Sequence, residues 1–130
     1  MTTSRSKLNE QIRYEIKLFE TLLTQKPHYT DALIALADLY TKIGEIKKGM
    51  VLDVRLAALL PEDDTVFYNL ACSYSLTGQI KKGYEALKRA VKLGYEDFEQ
   101  MEMDARWEGL LGTKRYRELV KRDFPEEGKD

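Results

Sequence analysis

Apolar side chains recur along the chain at the spacing of an α-helix, in which positions i, i+3, i+4 and i+7 share one face. Two stretches follow this rule with polar residues on the remaining positions. Their apolar members are Leu33, Leu36, Ala37 and Tyr40 in the first stretch, and Phe67, Leu70, Ala71 and Tyr74 in the second. A further amphipathic stretch, "LNEQIRYEIKLFETLLTQK", precedes them and predicts a helix over residues 5–26. The pattern therefore predicts an all-α protein.

The two central stretches are copies of one unit. The phrase "GEIKKG" at residues 44–49 returns as "GQIKKG" at residues 78–83, and an ungapped alignment of residues 30–63 with 64–97 gives twelve identities. Gly44 and Gly78 follow the first helix of each copy, where a left-handed closing residue is favoured. Gly49 and Gly83 lie inside the second helix, where glycine costs roughly 0.8–1.0 kcal/mol relative to alanine. Their recurrence predicts close contact with the paired helix.

A period of thirty-four residues and these small and aromatic positions resemble the tetratricopeptide repeat. The matching positions are Ala37, Tyr40, Gly49 and Pro61 in the first copy, and Ala71, Tyr74, Gly83, Leu87 and Ala90 in the second. Asp53 departs from the pattern, because it stands where the second copy has Leu87. It is predicted either to pair across a repeat interface or to point outward.

The resemblance implies one domain over residues 1–130, folded as a right-handed α-solenoid. Its predicted parts are a capping helix (5–26), two repeats (30–61 and 64–94), short closing helices (95–123) and a polar tail (124–130). The closing segment resembles one that follows such repeats in bacterial proteins.

The resemblance also implies a function as a protein-interaction adaptor or scaffold, because the first helix of each repeat lines a concave groove for a peptide or helix. By register, the groove residues are Asp31, Ile34, Asp38, Thr41 and Lys42 in the first repeat, and Thr65, Tyr68, Asn69, Cys72 and Ser75 in the second. Ile34 and Tyr68 would be the apolar anchors.

Two alternatives stay open. Lys47, Lys48, Lys81 and Lys82 form matching pairs at helix starts, which are either solvated or form a basic edge for an acidic partner. The outer face of the helix over residues 8–26 could instead pair with a second copy, which would make the protein a self-associating structural module.

Composition narrows the functional classes. A formal net charge of −1 and a pI near 5.9 argue against a general nucleic-acid or membrane binder. Cys72 and His28 are the only residues of their types, so a disulfide within the chain and a cysteine-based metal site are excluded. With no nucleophile–base pair, phosphate loop or metal cluster in the sequence, we expect no enzymatic activity and no cofactor. The N-terminus lacks the apolar core of a signal peptide, and we expect a cytoplasmic protein.

Overall fold

The computed structural model describes residues 3–97, and this part of the chain contains α-helices and no strand. The helices are α1 (Thr3–Gln25), α2 (Thr30–Lys42), α3 (Ile46–Leu59), α4 (Asp64–Leu76) and α5 (Ile80–Lys92). The predicted all-α class is confirmed. The predicted closing helices lie outside the described residues, apart from the segment 95–97 that leads into them.

The turn inside each helix pair follows from its glycine. Gly44 and Gly78 have φ angles of +87° and +77°, a region in which side chains with a Cβ are strained. In the first pair, the Glu45 N–H donates to the Tyr40 carbonyl at 2.8 Å and the Gly44 N–H donates to the Thr41 carbonyl at 3.1 Å. These two bonds form the Schellman arrangement that ends a helix. The second pair repeats both bonds thirty-four positions later.

The chain divides into two compact units, one through Leu59 and one from Leu60 onward. In the first unit, α1 and α3 pack against α2. Its buried apolar side chains are Ile12, Ala32, Leu33, Leu36, Ala37, Tyr40, Leu52 and Leu56. In the second unit, α4 packs against α5. Its buried apolar side chains are Val66, Tyr68, Leu70, Ala71, Cys72, Ala86, Leu87, Ala90 and Tyr95.

Gly49 makes the close helix contact that its position predicts. A Cβ placed on Gly49 would lie 3.3 Å from the Ala37 carbonyl oxygen and 3.1 Å from the Thr41 hydroxyl oxygen. Any larger residue would therefore press on the backbone of α2. The helix-propensity cost of glycine is offset by this close packing of α3 on α2.

Asp53 lies inside the first unit, with only 6% of its surface exposed. The alternative in which this side chain points outward is therefore wrong. Within residues 3–97, no helix is both long and apolar enough to cross a membrane.

Candidate partner-binding surfaces

The predicted groove residues of the first repeat lie mostly at the surface of α2. Asp31, Ile34, Asp38 and Lys42 are exposed, and Thr41 is half-buried. Ile34 keeps 40% of its surface exposed, which is unusual for an aliphatic residue in a helix whose other aliphatic side chains are covered. This face, named here the α2 face, presents one apolar side chain among charged ones.

Charges on the α2 face are already partly paired. The Lys42 ammonium lies 2.8 Å from the Asp38 carboxylate, one helical turn away. The hydrogen bond to Asp38, followed by the carboxylate's charge, raises the pKa of Lys42. Both side chains are about 60% exposed, so water screens the pair and it adds little stability. Lys42 and Asp38 therefore remain available to a partner.

The second repeat differs from the sequence prediction. Thr65 is exposed and Asn69 half-buried, but Tyr68 is 3% exposed, and Cys72 and Ser75 are 0% exposed. The predicted accessibility of these last three side chains is wrong, because in this conformation they are inside the second unit.

Tyr95 accounts for part of that burial. Its ring stacks on the Tyr68 ring with 4.4 Å between centroids and 10° between planes. Tyr95 follows α5, so a segment distant in sequence covers the intended anchor of α4. The Ser75 Oγ atom is buried and has no hydrogen-bond partner among residues 3–97. The repeat register predicted neither the stacking of Tyr95 on Tyr68 nor the burial of the Ser75 hydroxyl.

The lysine pairs have a specific local environment. All four lysines are exposed. The Lys48 ammonium lies 5.7 Å from the Tyr40 ring centroid, and the Lys82 ammonium lies 5.8 Å from the Tyr74 ring centroid. Such cation–π contacts contribute roughly 0.5–1 kcal/mol at exposed sites. The second lysine of each pair is therefore placed over a repeat tyrosine. The co-recurrence of tyrosine and lysine in both copies was the available sequence signal.

A repeated arginine also contacts the backbone just before the first helix of each repeat. Arg55 donates to the Pro27 carbonyl at 2.7 Å, and Arg89 donates to the Pro61 carbonyl at 3.2 Å. Arg89 additionally lies 5.8 Å from the Phe67 ring centroid. These arginines thus hold equivalent positions in the two copies.

Tyr40 is tied to α1 through its hydroxyl, which donates a hydrogen bond to the Glu20 carboxylate. Burial, together with this hydrogen bond and the charges of Glu20 and Glu45, raises the pKa of Tyr40 to about 12. The phenol therefore stays protonated at physiological pH. It serves as a donor that fixes α1 on α2.

A hollow of about 530 Å³ opens between α4 and α5 in the second unit. It combines aromatic and aliphatic side chains with charged ones, and is named here the α4–α5 hollow. Its lining residues are Phe67, Leu70, Tyr74, Lys81, Lys82, Glu85, Ala86 and Arg89. The sequence analysis named the two lysines as a possible basic edge and placed Phe67 and Tyr74 on the apolar face of their helix, without predicting that they line one hollow.

The outer face of α1 exposes apolar side chains as well. Tyr14 is 67% exposed and Leu18, one turn later, is 52% exposed. With Leu22 they line a shallow hollow of about 420 Å³. This is the face for which pairing with a second copy was an alternative.

Metal ligands do not converge in the described region. Among residues 3–97, no group of three or more histidine, cysteine, aspartate or glutamate side chains is arranged to hold a metal ion. The surfaces described above offer apolar contact, hydrogen bonds and charge, which are the means of non-covalent recognition.

Comparison with known proteins supports the fold. Two solved structures resemble this chain: "MamA 41-end from Desulfovibrio magneticus RS-1" with a TM-score of 0.67, and "MamA RS-1 ArsTM double mutant" with a TM-score of 0.66. Each is 21% identical in sequence. The likeness covers 97% of this chain and 75% of the first structure, and 89% of this chain and 70% of the second. The chain therefore has the tetratricopeptide-like helical solenoid fold.

Sequence comparison gives a local match. The chain is 42% identical over 62 residues to a protein of Arabidopsis thaliana whose name describes it as chloroplastic. That match covers 47% of this chain, and the chain spans only 18% of the length of that relative. No family model matches the chain.

Proposed function

We propose that this protein is an adaptor or scaffold that binds a peptide or a helix of a partner protein on the first-helix faces of its repeats. The observation that carries the proposal is Ile34, an aliphatic side chain 40% exposed on the α2 face. Around it, Asp31, Asp38 and Lys42 supply polar contacts that fix the partner's register. Such a core of apolar contact with a polar rim is typical of protein interfaces.

The second unit contributes less than its sequence predicts. Thr65 and Asn69 remain as candidate contacts on α4, whereas Tyr68 is covered by Tyr95. We assign the apolar anchor to Ile34 alone. The protein acts without covalent chemistry in this proposal, and the cytoplasmic location and the lack of a cofactor stay predictions.

The test is an affinity pull-down from native extract with wild type, Ile34→Glu and Val51→Glu. Val51 is a matched control, because it is also an exposed aliphatic residue, at 59%, but lies on α3. We expect a partner that is retained by wild type and Val51→Glu and lost with Ile34→Glu. Equal capture by all three proteins, with unchanged helical circular dichroism, would overturn the assignment to the α2 face.

A second candidate function is self-association through α1. The exposed Tyr14 and Leu18 favour it, since apolar side chains one turn apart on an open helix face can pack against an identical face. In that case the protein is a structural module whose partner is a second copy.

A further inference from the structure

The groove positions of α4 are uncharged where those of α2 are charged. The charged residues of the α2 face are Asp31, Asp38 and Lys42, and their counterparts one repeat later are Thr65, Cys72 and Leu76. Removing a charged side chain from water costs far more free energy than removing an uncharged one. The sequence of α4 therefore suits a face that is covered, whereas the sequence of α2 suits a face in water.

The structure covers this part of α4. Tyr68 and Cys72 are 3% and 0% exposed, whereas their counterparts Ile34 and Asp38 are exposed on α2. The side of α4 that carries Tyr68 and Cys72 is named here the α4 face. In each repeat the second helix packs on the first, α3 on α2 and α5 on α4. Because α3 leaves these positions of α2 exposed, packing of α5 does not by itself account for the burial of the α4 face.

The turn after α5 leads the chain onto the α4 face. Gly94 has a φ angle of +113°, and the Tyr95 N–H donates to the Ala90 carbonyl at 2.9 Å, which ends α5 in the same way as the turns inside the helix pairs. The Tyr95 ring then stacks on the Tyr68 ring. The first repeat has Pro61 at this position, which has neither an aromatic ring nor an N–H to donate. This path of the chain is therefore specific to the second repeat.

The sequence that continues from this turn can supply an apolar cover. Residues 98–124 carry aromatic and aliphatic side chains among charged ones. Trp107, Leu110 and Leu111 recur at the spacing that places side chains on one side of a helix. Only Glu96 and Asp97 separate this segment from Tyr95, which already contacts the α4 face.

We propose that residues 98–124 lie along the α4 face and occupy it as an intramolecular ligand. Apolar side chains of this segment pack on Tyr68 and Cys72 beside the Tyr95 ring. While the segment is in place, it excludes a partner's peptide from the groove positions of the second repeat. Closure of the α4 face by the chain itself does not depend on whether the α2 face binds a partner.

Cys72 is the only cysteine of the chain, so its thiol reports on what lies against the α4 face. In the full-length protein, single cysteines replace the apolar residues of 98–124 one at a time, and each variant is oxidised at low concentration. We expect an intramolecular disulfide to Cys72 from at least one of these positions, because a disulfide requires Cα atoms within about 7 Å. Peptide mapping by mass spectrometry identifies the linked pair.

The control for this cross-linking is Glu85→Cys in the same unit. Glu85 is exposed and lines the α4–α5 hollow together with Leu70 and Tyr74 of α4. Residues two positions apart on a helix lie about 200° apart around its axis, so Cys72 is on nearly the opposite side of α4 from these two. Glu85→Cys should therefore give no disulfide to Cys72.

The rate at which Cys72 reacts with dithiobis(nitrobenzoate) measures the cover in the native protein. We expect wild type to react roughly a hundredfold or more slowly than the urea-unfolded chain, because a buried thiol reacts only when its cover opens. The double variant Leu110→Glu/Leu111→Glu should react roughly tenfold or more faster than wild type, because carboxylates oppose burial of the segment. Val51→Glu/Val54→Glu, which makes the same changes at exposed positions of α3, should react as wild type does.

Ser75→Ala provides a change in the opposite direction. The Ser75 hydroxyl is buried and makes no hydrogen bond to the described residues, whereas water can bond to it once the cover opens. Its removal therefore favours the covered state. We expect Ser75→Ala to slow the reaction of Cys72, a result that misfolding cannot produce.

Several results would overturn the assignment. Absence of a disulfide from every tested position of 98–124, or a Cys72 rate that Leu110→Glu/Leu111→Glu does not change, would mean that another part of the chain covers α4. A wild-type rate equal to that of the unfolded chain would mean that the α4 face is open. Equal acceleration by Val51→Glu/Val54→Glu would trace the effect to general destabilisation. Disulfides that form only between two molecules would make a second copy the occupant.

Discussion

At the residue scale, Tyr40 and Tyr74 show how one repeated side chain acquires two roles. Both rings have a lysine ammonium within about 6 Å. Tyr40 is also buried and bonded to Glu20, so it fastens α1 to α2. Tyr74 is half-buried and lines the α4–α5 hollow. The lysine contact is therefore common to both repeats, whereas the hydrogen bond of Tyr40 depends on Glu20 of α1.

The raised pKa of Tyr40 predicts a pH dependence of stability. Because the folded-state pKa is about 12 and the ordinary value is 10.0, the folded state favours the protonated phenol. The resulting stabilisation is complete below pH 10 and is lost as the pH rises from 10 toward 12. Denaturant unfolding at about pH 9 and about pH 11.5 should show wild type losing on the order of 1–2 kcal/mol more than Tyr40→Phe. Tyr14→Phe, at an exposed tyrosine, is the control and should behave as wild type. Parallel losses in wild type and Tyr40→Phe would contradict the assignment.

At the element scale, the two repeats begin their first helices differently. Asp63 caps α4, since its carboxylate accepts a hydrogen bond from the Val66 N–H at 3.1 Å. The equivalent residue before α2 is Tyr29, whose side chain makes no capping bond. The donors at the start of α2 therefore lack a side-chain acceptor at the N-cap. One helix start is well capped and its copy is not.

This difference predicts opposite effects of two substitutions at equivalent positions. Asp63→Ala should lower the free energy of unfolding by about 1 kcal/mol, because a capping bond is lost. Tyr29→Asp should raise it by roughly 0.5–1 kcal/mol, less the contact between Lys26 and the Tyr29 ring. Thermal and urea denaturation of both variants checks the prediction. A stabilising Asp63→Ala, or a Tyr29→Asp that lowers stability by more than the lost ring contact, would argue against capping as the cause.

At the scale of the whole molecule, the α1 face bears on whether the chain acts alone or with a second copy. This face, with Tyr14 and Leu18, exposes aliphatic and aromatic surface that water does not favour. An exposed aliphatic side chain also occurs on α3, where Val54 is 45% exposed, so Val54 can serve as a control for the exposed residues of α1. A comparison of the two faces therefore isolates the contribution of α1.

Sedimentation velocity over a range of concentrations tests the second candidate function. If α1 mediates self-association, the mean mass should rise with concentration in wild type and in Val54→Glu. Leu18→Glu should remain monomeric, because it places a charge at the centre of the apolar contact. A wild-type mass that does not depend on concentration would exclude self-association under those conditions. Loss of association with Val54→Glu but not with Leu18→Glu would assign it to a different face.

The features that the sequence by itself determined are those that depend on residues close together in the chain. Helix spacing, the repeat period and the helix-ending glycines depend on backbone hydrogen bonds and φ angles within a few residues. These features predicted α2 to α5 and the turns at Gly44 and Gly78. The small residue at Gly49 likewise indicated the close contact with α2.

Accessibility of the candidate site was decided only by tertiary structure. Register placed Tyr68 on the groove face, but Tyr95, distant in sequence, stacks on it and covers it. For Asp53 the sequence allowed either pairing across a repeat interface or an outward orientation, and the packing of the first unit excludes the outward orientation. The second lysine of each helix-start pair lies over Tyr40 or Tyr74 because paired helices bring them together. Periodicity determines which face of a helix a side chain shares, whereas burial depends on which remote segment packs on that face.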